Sequence, residues 1–240
     1  MKKQNNSFWF RELSAFPTVI VANGEVPSSE LSLSILKNMK RIVCCDGALH
    51  KLLSINIIPD VVVGDGDSLD PQLLQRKIDS GSPCRDAMHC VSTKGHEIPY
   101  YQDRSEEYND LQKALKYCNS KGYDTILLMG CAGLREDHFI ANLSIMVMYS
   151  ERLNLAMLTE HGVFNVMRGK ATFNAFPGMQ VSVFARNPQT KLTFQGLKYP
   201  VENLSFNWFW EGSLNEAMED SFVVEASDDE PFVVYRALNS

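Results

Sequence analysis

Val61-Val62-Val63-Gly64-Asp65-Gly66-Asp67-Ser68 decides how the rest of the chain is read. Three β-branched apolar residues in succession, with no polar alternation, make a strand buried on both faces, as in a parallel sheet. The strand stops where two carboxylates and two glycines begin. In an open α/β sheet that end of a strand is where ligands bind. Asp65 and Asp67, at i and i+2 of an extended segment, project to the same side. Gly66 between them removes the side-chain barrier to a close ligand. Hard oxygen donors in this pattern suit magnesium, which is usually held by one or two carboxylates together with substrate phosphates.

The same grammar recurs on either side. Residues 18–21 read as a first strand, with Asn23-Gly24-Glu25 at its end. Pro27-Ser28-Ser29-Glu30 then starts a helix with a serine cap, and Leu31, Ile35 and Met39 give it an apolar stripe. Residues 41–45 are a second strand running into Asp46-Gly47-Ala48, followed by a helix carrying Leu49, Leu52 and Leu53. After residues 60–63, Pro71 opens a helix whose apolar face is Leu73, Leu74 and Ile78. Residues 79–105 are less regular, with a short strand over 87–92 and Thr93-Lys94-Gly95-His96 at its end. A helix begins at Asn109 or Asp110 and stops at Gly122, a C′ glycine. Residues 125–129 are another unbroken apolar strand, leading through a glycine-rich turn into a helix to about Ser150.

Alternation of strands and helices from 18 to about 158 predicts an open, mainly parallel, Rossmann-like α/β sheet. Near residue 162 helical periods vanish. Short Val-, Phe- and Thr-rich segments at 164–167, 171–176, 180–185, 191–194, 222–225 and 232–235 are broken by Gly, Pro and Asn. They predict a smaller all-β sandwich or barrel. The expected domains are a lead-in over 1–16, an α/β catalytic domain over 17–158 and a β-domain over 159–240. Phe8, Trp9 and Phe10 of the lead-in are expected to cover apolar surface.

The totals exclude several classes. The 240 residues are 45% hydrophobic and 22% charged, ordinary for a globular protein. A net charge of −6 argues against a general nucleic-acid binder, whose footprint is a basic face. The six cysteines form no CxxC pair and sit largely in apolar runs, as reduced core thiols do. The first six residues are too polar for a signal peptide, and no run approaches the ~20 apolar residues of a membrane span. A cytoplasmic protein is the expectation.

Two constellations carry chemistry. The first is the set of carboxylates at strand ends or helix starts: Asp46, Asp65, Asp67 and Asp110. A single Asp there is more often a helix cap, but two acids flanking a glycine repel each other unless a cation sits between them. The second is Gly130-x-x-Gly133-x-Arg135-x-Asp137-His138-x-x-x-Asn142. Glycines admit a phosphate to the backbone, a helix N-terminus favours anions, and Arg135 offers a planar fork. Arg135, His138 and Asn142 fall at i, i+3 and i+7, on one helix face. There is no P-loop and no protein-kinase catalytic loop. The residues ask for phosphoryl-type transfer by positioning and charge neutralisation.

In order and spacing, Asp46-Gly47-Ala48, Pro59-Asp60, Gly64-Asp65-Gly66-Asp67-Ser68, Asn109-Asp110-Leu111-x-Lys113-Ala114-Leu115 and Gly133-Leu134-Arg135-Glu136-Asp137-His138-x-x-x-Asn142 resemble the thiamine pyrophosphokinase family. Gly196-Leu197-Lys198-Tyr199-Pro200 and Gly212-Ser213-Leu214-Asn215-Glu216 resemble its thiamine-binding β-domain signature. The resemblance implies Mg2+-dependent transfer of a pyrophosphoryl group from ATP to the thiamine hydroxyl, giving thiamine diphosphate and AMP. It implies a homodimer with active sites at the subunit interface. By motif match, Asp65, Asp67 and Asp110 are catalytic and hold the metal. Asp46, Gly47, Thr93, Gly133, Arg135, Asp137, His138 and Asn142 serve the nucleotide. Glu106, Ser213 and Asn215 serve thiamine. The chain departs from the family pattern at Gly66, Glu106, Asn109 and Leu214. Trp208, Phe209 and Trp210 offer either a stacking face for a ring or packing surface. Two rival readings stand beside this one: a metal-dependent nucleotide-sugar glycosyltransferase using the Asp65-x-Asp67 loop, and a non-catalytic thiamine or nucleotide sensor.

Overall fold

The computed structural model describes residues 2–25, 28–69, 74–76, 89–93 and 96–239. The chain divides into two compact units, Phe10–Ile145 and a second made of Met1–Trp9 with Met146–Ser240. The first element is helix α1 (Lys2–Leu13), so the lead-in expected over 1–16 is mostly helical. Trp9, at 0% exposure, is buried.

Phe10–Ile145 is built on a mixed sheet. Its strands are β1 (Thr18–Val21), β2 (Arg41–Cys45), β3 (Val61–Gly64), β4 (Leu74–Arg76), β5 (His89–Thr93), β6 (His96–Gln102) and β7 (Thr125–Met129). They lie in the order β7-β1-β2-β3-β6-β5-β4. The pairings β7–β1, β1–β2, β2–β3 and β3–β6 are parallel; β6–β5 and β5–β4 are antiparallel. β1, β3 and the last four residues of β2 and β7 are buried. That is why these strands read as unbroken apolar runs.

The helices follow their sequence signals. α2 (Glu30–Asn38) is capped by Ser29, whose Oγ accepts from the Ser32 N–H. Asp46–Ala48 form a 3₁₀ turn into α3 (Leu49–Ser54). α4 (Asp110–Ser120) starts with a capping box between Asn109 and Gln112 and packs on β2 and β3. Its chain leaves through Gly122 at φ +71°. α5 (Glu136–Tyr149) follows β7.

The region after Ser68 differs from expectation. The helix expected from Pro71 through Leu74 is a strand where it is described, since Leu74–Arg76 pair with His89–Val91. Its apolar spacing is too sparse for a strong helical stripe, and the ladder satisfies the backbone groups instead. Pro71, Leu73 and Ile78 lie outside the described residues, as do Pro27, Ala87, Met88, Lys94 and Gly95. The strand expected over 87–92 is β5, and β6, which was not expected, returns from it to lie parallel to β3.

The second unit holds two antiparallel sheets. One has the order β14-β11-β16-β9-β8, from β8 (Asn154–Leu158), β9 (Gly162–Met167), β11 (Gln180–Ala185), β14 (Asn215–Glu216) and β16 (Phe232–Ala237). The other has the order β10-β15-β12-β13, from β10 (Lys170–Asn174), β12 (Lys191–Gln195), β13 (Val201–Ser205) and β15 (Ser221–Ala226). In β10, β11, β12 and β15 every second residue is buried, the alternation of strands with one face inward. Arg236 of β16 is 2% exposed and bridges the layers. Its Nη1 donates to the Asn174 carbonyl at 2.8 Å and its Nη2 to Asn165 Oδ1 at 2.9 Å. Its guanidinium lies 5.0 Å from the centre of a Trp9 ring and 5.3 Å from that of Phe173.

The fold is thus a helix and mixed-sheet unit followed by a smaller antiparallel β-unit. No described helix is long and apolar enough to cross a membrane. Cys44, Cys45, Cys118 and Cys131 are free and buried.

Candidate active site

Parallel strands deliver their following loops to one edge of the sheet. β1 releases Ala22-Asn23-Gly24, β2 releases Asp46, β3 releases Asp65, and β7 releases Gly130-Cys131-Ala132. The chain passes from β1 outward to β2 and β3, then returns to place β7 on the other side of β1. That reversal between β1 and β7 is the point at which such sheets open a crevice. A cleft of about 320 Å3 lies there, lined by Ala22–Gly24, Cys45, Asn109–Leu111, Gly130–Ala132, Leu134, Arg135, His138 and Asn142.

The two loops flanking the cleft are laced together by backbone bonds. Gly24 N–H donates to the Gly130 carbonyl at 2.6 Å, and Glu25 N–H to that of Ala132 at 2.8 Å. Gly130 has φ +67°, and a Cβ there would run into the Ala22 carbonyl oxygen. Lys51 Nζ donates to the Asn23 and Gly24 carbonyls at 2.8 and 2.9 Å, pinning the loop from below. Asn142 Nδ2 donates to the Cys131 carbonyl at 3.0 Å. So Asn142 lines the cleft and also holds its glycine turn.

Asp46, Asp65 and Asp110 offer carboxylate oxygens that all lie within 4.8 Å of one another. They arrive from three places in the sequence: the end of β2, the end of β3 and the first turn of α4. Asp46 is 1% exposed. Its Oδ1 accepts from the Gly47 N–H at 2.7 Å and its Oδ2 from the Gly66 N–H at 2.9 Å. Gly66, at φ +93°, needs glycine twice over: its backbone is left-handed, and a Cβ would sit 2.7 Å from the Tyr100 hydroxyl. Tyr100 is buried and its hydroxyl donates to the Gly64 carbonyl at 3.1 Å. Gln102 Nε2 donates to the Asp65 carbonyl at 2.8 Å. The β3 loop is therefore held from its backbone, and the Asp65 carboxylate is left to meet Asp46 and Asp110.

Lys113 joins the cluster from α4, one turn after Asp110. Its Nζ lies 2.6 Å from Asp65 Oδ2 and 3.4 Å from Asp110 Oδ1. The electrostatics follow from these distances. Burial, reinforced by the charge of Asp110, pushes the Asp46 carboxyl from 3.8 up to about 6, against the two N–H bonds that favour its ionised form. Burial likewise raises Asp110, while Lys113 pulls it back. The Lys113 hydrogen bond holds Asp65 below the usual carboxylate range.

A pH effect follows. Asp46 binds its proton more tightly folded than unfolded, so its share of stability is present below pH 3.8 and is lost as the pH rises through about 6. In chelator, the melting temperature of the wild type is expected to fall across that window. Asp46→Asn should flatten the fall, and an unchanged slope in that variant would refute the assignment.

The structure sorts the residues that the sequence singled out. It brings Asp65 and Asp110 together, and adds Asp46, which had been given to the nucleotide. Asp67 is exposed and stands outside the group of three; it accepts from the Ser68 hydroxyl at 3.0 Å. Arg135, His138 and Asn142 share the cleft. Asp137 grips Arg135 through two bonds, Nη2–Oδ2 at 2.6 Å and Nε–Oδ1 at 3.1 Å, which fixes the guanidinium plane. Gly47 is buried beside Asp46, and Gly133 is exposed before Arg135. Thr93 ends β5 opposite His96, and its side chain lies outside the described residues. Glu106 is exposed just before α4.

Ser213 and Asn215 belong to the second unit. Ser213 Oγ donates to the Trp210 carbonyl at 2.6 Å. Asn215 is buried, and its amide accepts from the Tyr199 N–H and donates to the Tyr199 carbonyl. Leu214 between them has φ +60° and is 80% exposed. Trp208, Phe209 and Trp210 are also exposed. Lys113, quoted in the α4 motif without a role, and Lys51 are the residues to which the sequence reading assigned no function. For Lys113 the signal was there: a lone cation among Leu111, Ala114 and Leu115 on a buried helix face, three positions after an acid.

Comparison with known proteins identifies the family. Residues 33–157 match the family model "Thiamin pyrophosphokinase, catalytic domain", and residues 162–235 match "Thiamin pyrophosphokinase, substrate-binding domain". No curated protein matches by sequence. Among solved structures, the fold is similar to thiamine pyrophosphokinase from Bacillus subtilis, with 20% identity, 92% of this chain and 98% of that chain covered, and a TM-score of 0.67. It is similar to a thiamin pyrophosphokinase family protein from Enterococcus faecalis at 18% identity, 92% and 98% coverage and a TM-score of 0.70. For thiamin pyrophosphokinase from Candida albicans the values are 17%, 94%, 90% and 0.69. At these identities the structures establish likeness of fold, and the two family models, end to end over most of the sequence, establish kinship: the chain belongs to the thiamin pyrophosphokinase family of enzymes.

Proposed function

We propose that this enzyme transfers the pyrophosphoryl group of ATP to the hydroxyl of thiamine, giving thiamine diphosphate and AMP. The observation that carries the reading is the convergence of Asp46, Asp65 and Asp110 on one point, with Asp110 also lining the cleft that holds Arg135 and the two glycine-bearing loops. A cluster of hard oxygen donors fits Mg2+. When bound, the metal supplies positive charge against the polyphosphate.

The chain's own groups do the rest. The Gly130–Gly133 turn and the start of α5 offer backbone N–H groups to phosphates. Arg135, its plane fixed by Asp137, neutralises phosphate oxygens, and His138 and Asn142 line the same wall. Asp67 approaches from the open side of the β3 loop, and Gly47 keeps Asp46 in place. The thiamine hydroxyl oxygen attacks the β-phosphorus, the bond from that phosphorus to the α,β-bridging oxygen breaks, and AMP leaves. Thr93 on the nucleotide side, and Glu106, Ser213 and Asn215 on the thiamine side, complete the assignment. So does a cytoplasmic homodimer with active sites at the subunit interface, a catalytic domain over 17–158 and a thiamine-binding domain over 159–240. The glycosyltransferase reading has no support from the family models.

Release of AMP that requires both thiamine and a divalent metal tests the reading. Binding of thiamine and ATP by calorimetry with no AMP formed would instead fit a sensor.

A further inference from the structure

Lys113 is a buried ammonium for which the proposed reaction has no use so far. It is 3% exposed, and it sits between Leu111 and the Ala114–Leu115 pair on the face α4 turns inward. An ammonium is costly to bury unless it is paired and its donors are used. Here the compensation comes from Asp65 and Asp110, two of the three acids of the cluster.

Charge accounting gives this placement a meaning. Three ionised carboxylates crowded within 4.8 Å repel one another strongly in a partly buried site. The ammonium removes part of that repulsion. Three carboxylates, one ammonium and one divalent cation together sum to zero. The ammonium also bonds Asp65, an acid that a metal at this point would draw on.

We infer that Lys113 is the resident counter-ion of the cluster: it holds Asp65 and Asp110 in ligating arrangement while the metal is away, and it competes with the incoming cation for Asp65. Lys113 is then a positioning residue, acting through the acids. The inference rests on the metal-site reading above but needs neither ATP nor thiamine for its test.

The test is Mn2+ titration and thermal melting of the whole protein, without nucleotide, for the wild type and Lys113→Met. The variant should melt below the wild type in chelator, and the gap should close in saturating Mn2+. Its Mn2+ affinity should rise by about tenfold or more at low salt, because a like charge beside the site is gone. Lys113→Gln, which keeps donors but not the charge, gives the same comparison if the methionine variant does not fold. A melting deficit equal with and without metal would make the role merely structural and overturn the inference. Unchanged or weakened Mn2+ affinity in the variant would overturn it too, as would a wild type that binds no Mn2+. A wild type that binds Mn2+ and shows the expected difference, yet forms no AMP, would leave Lys113 as assigned and remove the reaction.

Discussion

Asp65→Asn should lower thiamine diphosphate formation by about 10²–10³-fold, the cost of removing one key electrostatic group from a preorganised site. The residue combines three roles in one side chain. Its Oδ2 takes the Lys113 ammonium at 2.6 Å, its Oδ1 accepts from the Asp67 N–H at 3.2 Å, and its carboxylate is one of the three convergent acids. The amide keeps the size and loses the charge, so the β3 loop should stay folded while the response to metal fails. Two measurements check this: kcat with saturating ATP and thiamine, and the rise in melting temperature on adding Mg2+. Asp67→Asn on the same loop should cost less, because Asp67 is exposed and outside the cluster. Near-normal turnover in Asp65→Asn, or a larger loss in Asp67→Asn, would contradict the geometry.

Trp9→Ala should destabilise the protein by about 3–5 kcal/mol, as for truncation of a large buried aromatic. Trp9 is wholly buried; Phe8 meets it edge-on at 5.1 Å and in turn meets Phe176 edge-on at 5.7 Å. The ring also faces the Arg236 guanidinium, whose positive charge is buried between the β-layers. Removing the indole takes away packing and part of what makes that charge tolerable. Urea unfolding of the variant measures the loss; a change below about 1 kcal/mol would mean that α1 is peripheral. Trp9→Phe, which retains an aromatic face, should recover much of the difference.

The sequence made the site's frame legible because buried parallel strands leave a strong signature. β1, β2, β3 and β7 all appear as short apolar runs ending in Gly, Asp or Asn, and their parallel pairing brings those ends to one edge. Capping residues marked the starts of α2 and α4. What stayed hidden depended on long-range pairing. Leu74–Arg76 falls in a stretch whose Leu73, Leu74 and Ile78 spacing reads as a helix, and it is a strand because it pairs with β5. The Phe8-Trp9-Phe10 run marked the lead-in as covering apolar surface, but with a polar first turn the helical form of α1 and the full burial of Trp9 had no local signature. Asp46 joins Asp65 and Asp110 through a contact that no local pattern shows: the Gly66 N–H, presented at positive φ, bonds its Oδ2 from the neighbouring strand's loop. Lys113 carried a signal in its place on an apolar helix face, but such a cation also reads as a long stem lying over the core.

Transfer of two phosphoryl groups together is tested by the fate of label from ATP. Incubation of the protein with Mg2+, thiamine and ATP labelled at the γ-phosphorus should move the label into thiamine diphosphate, with AMP formed in equal amount and no thiamine monophosphate along the way. ADP appearing with labelled thiamine monophosphate would show transfer of the γ-phosphoryl group alone and would contradict the account.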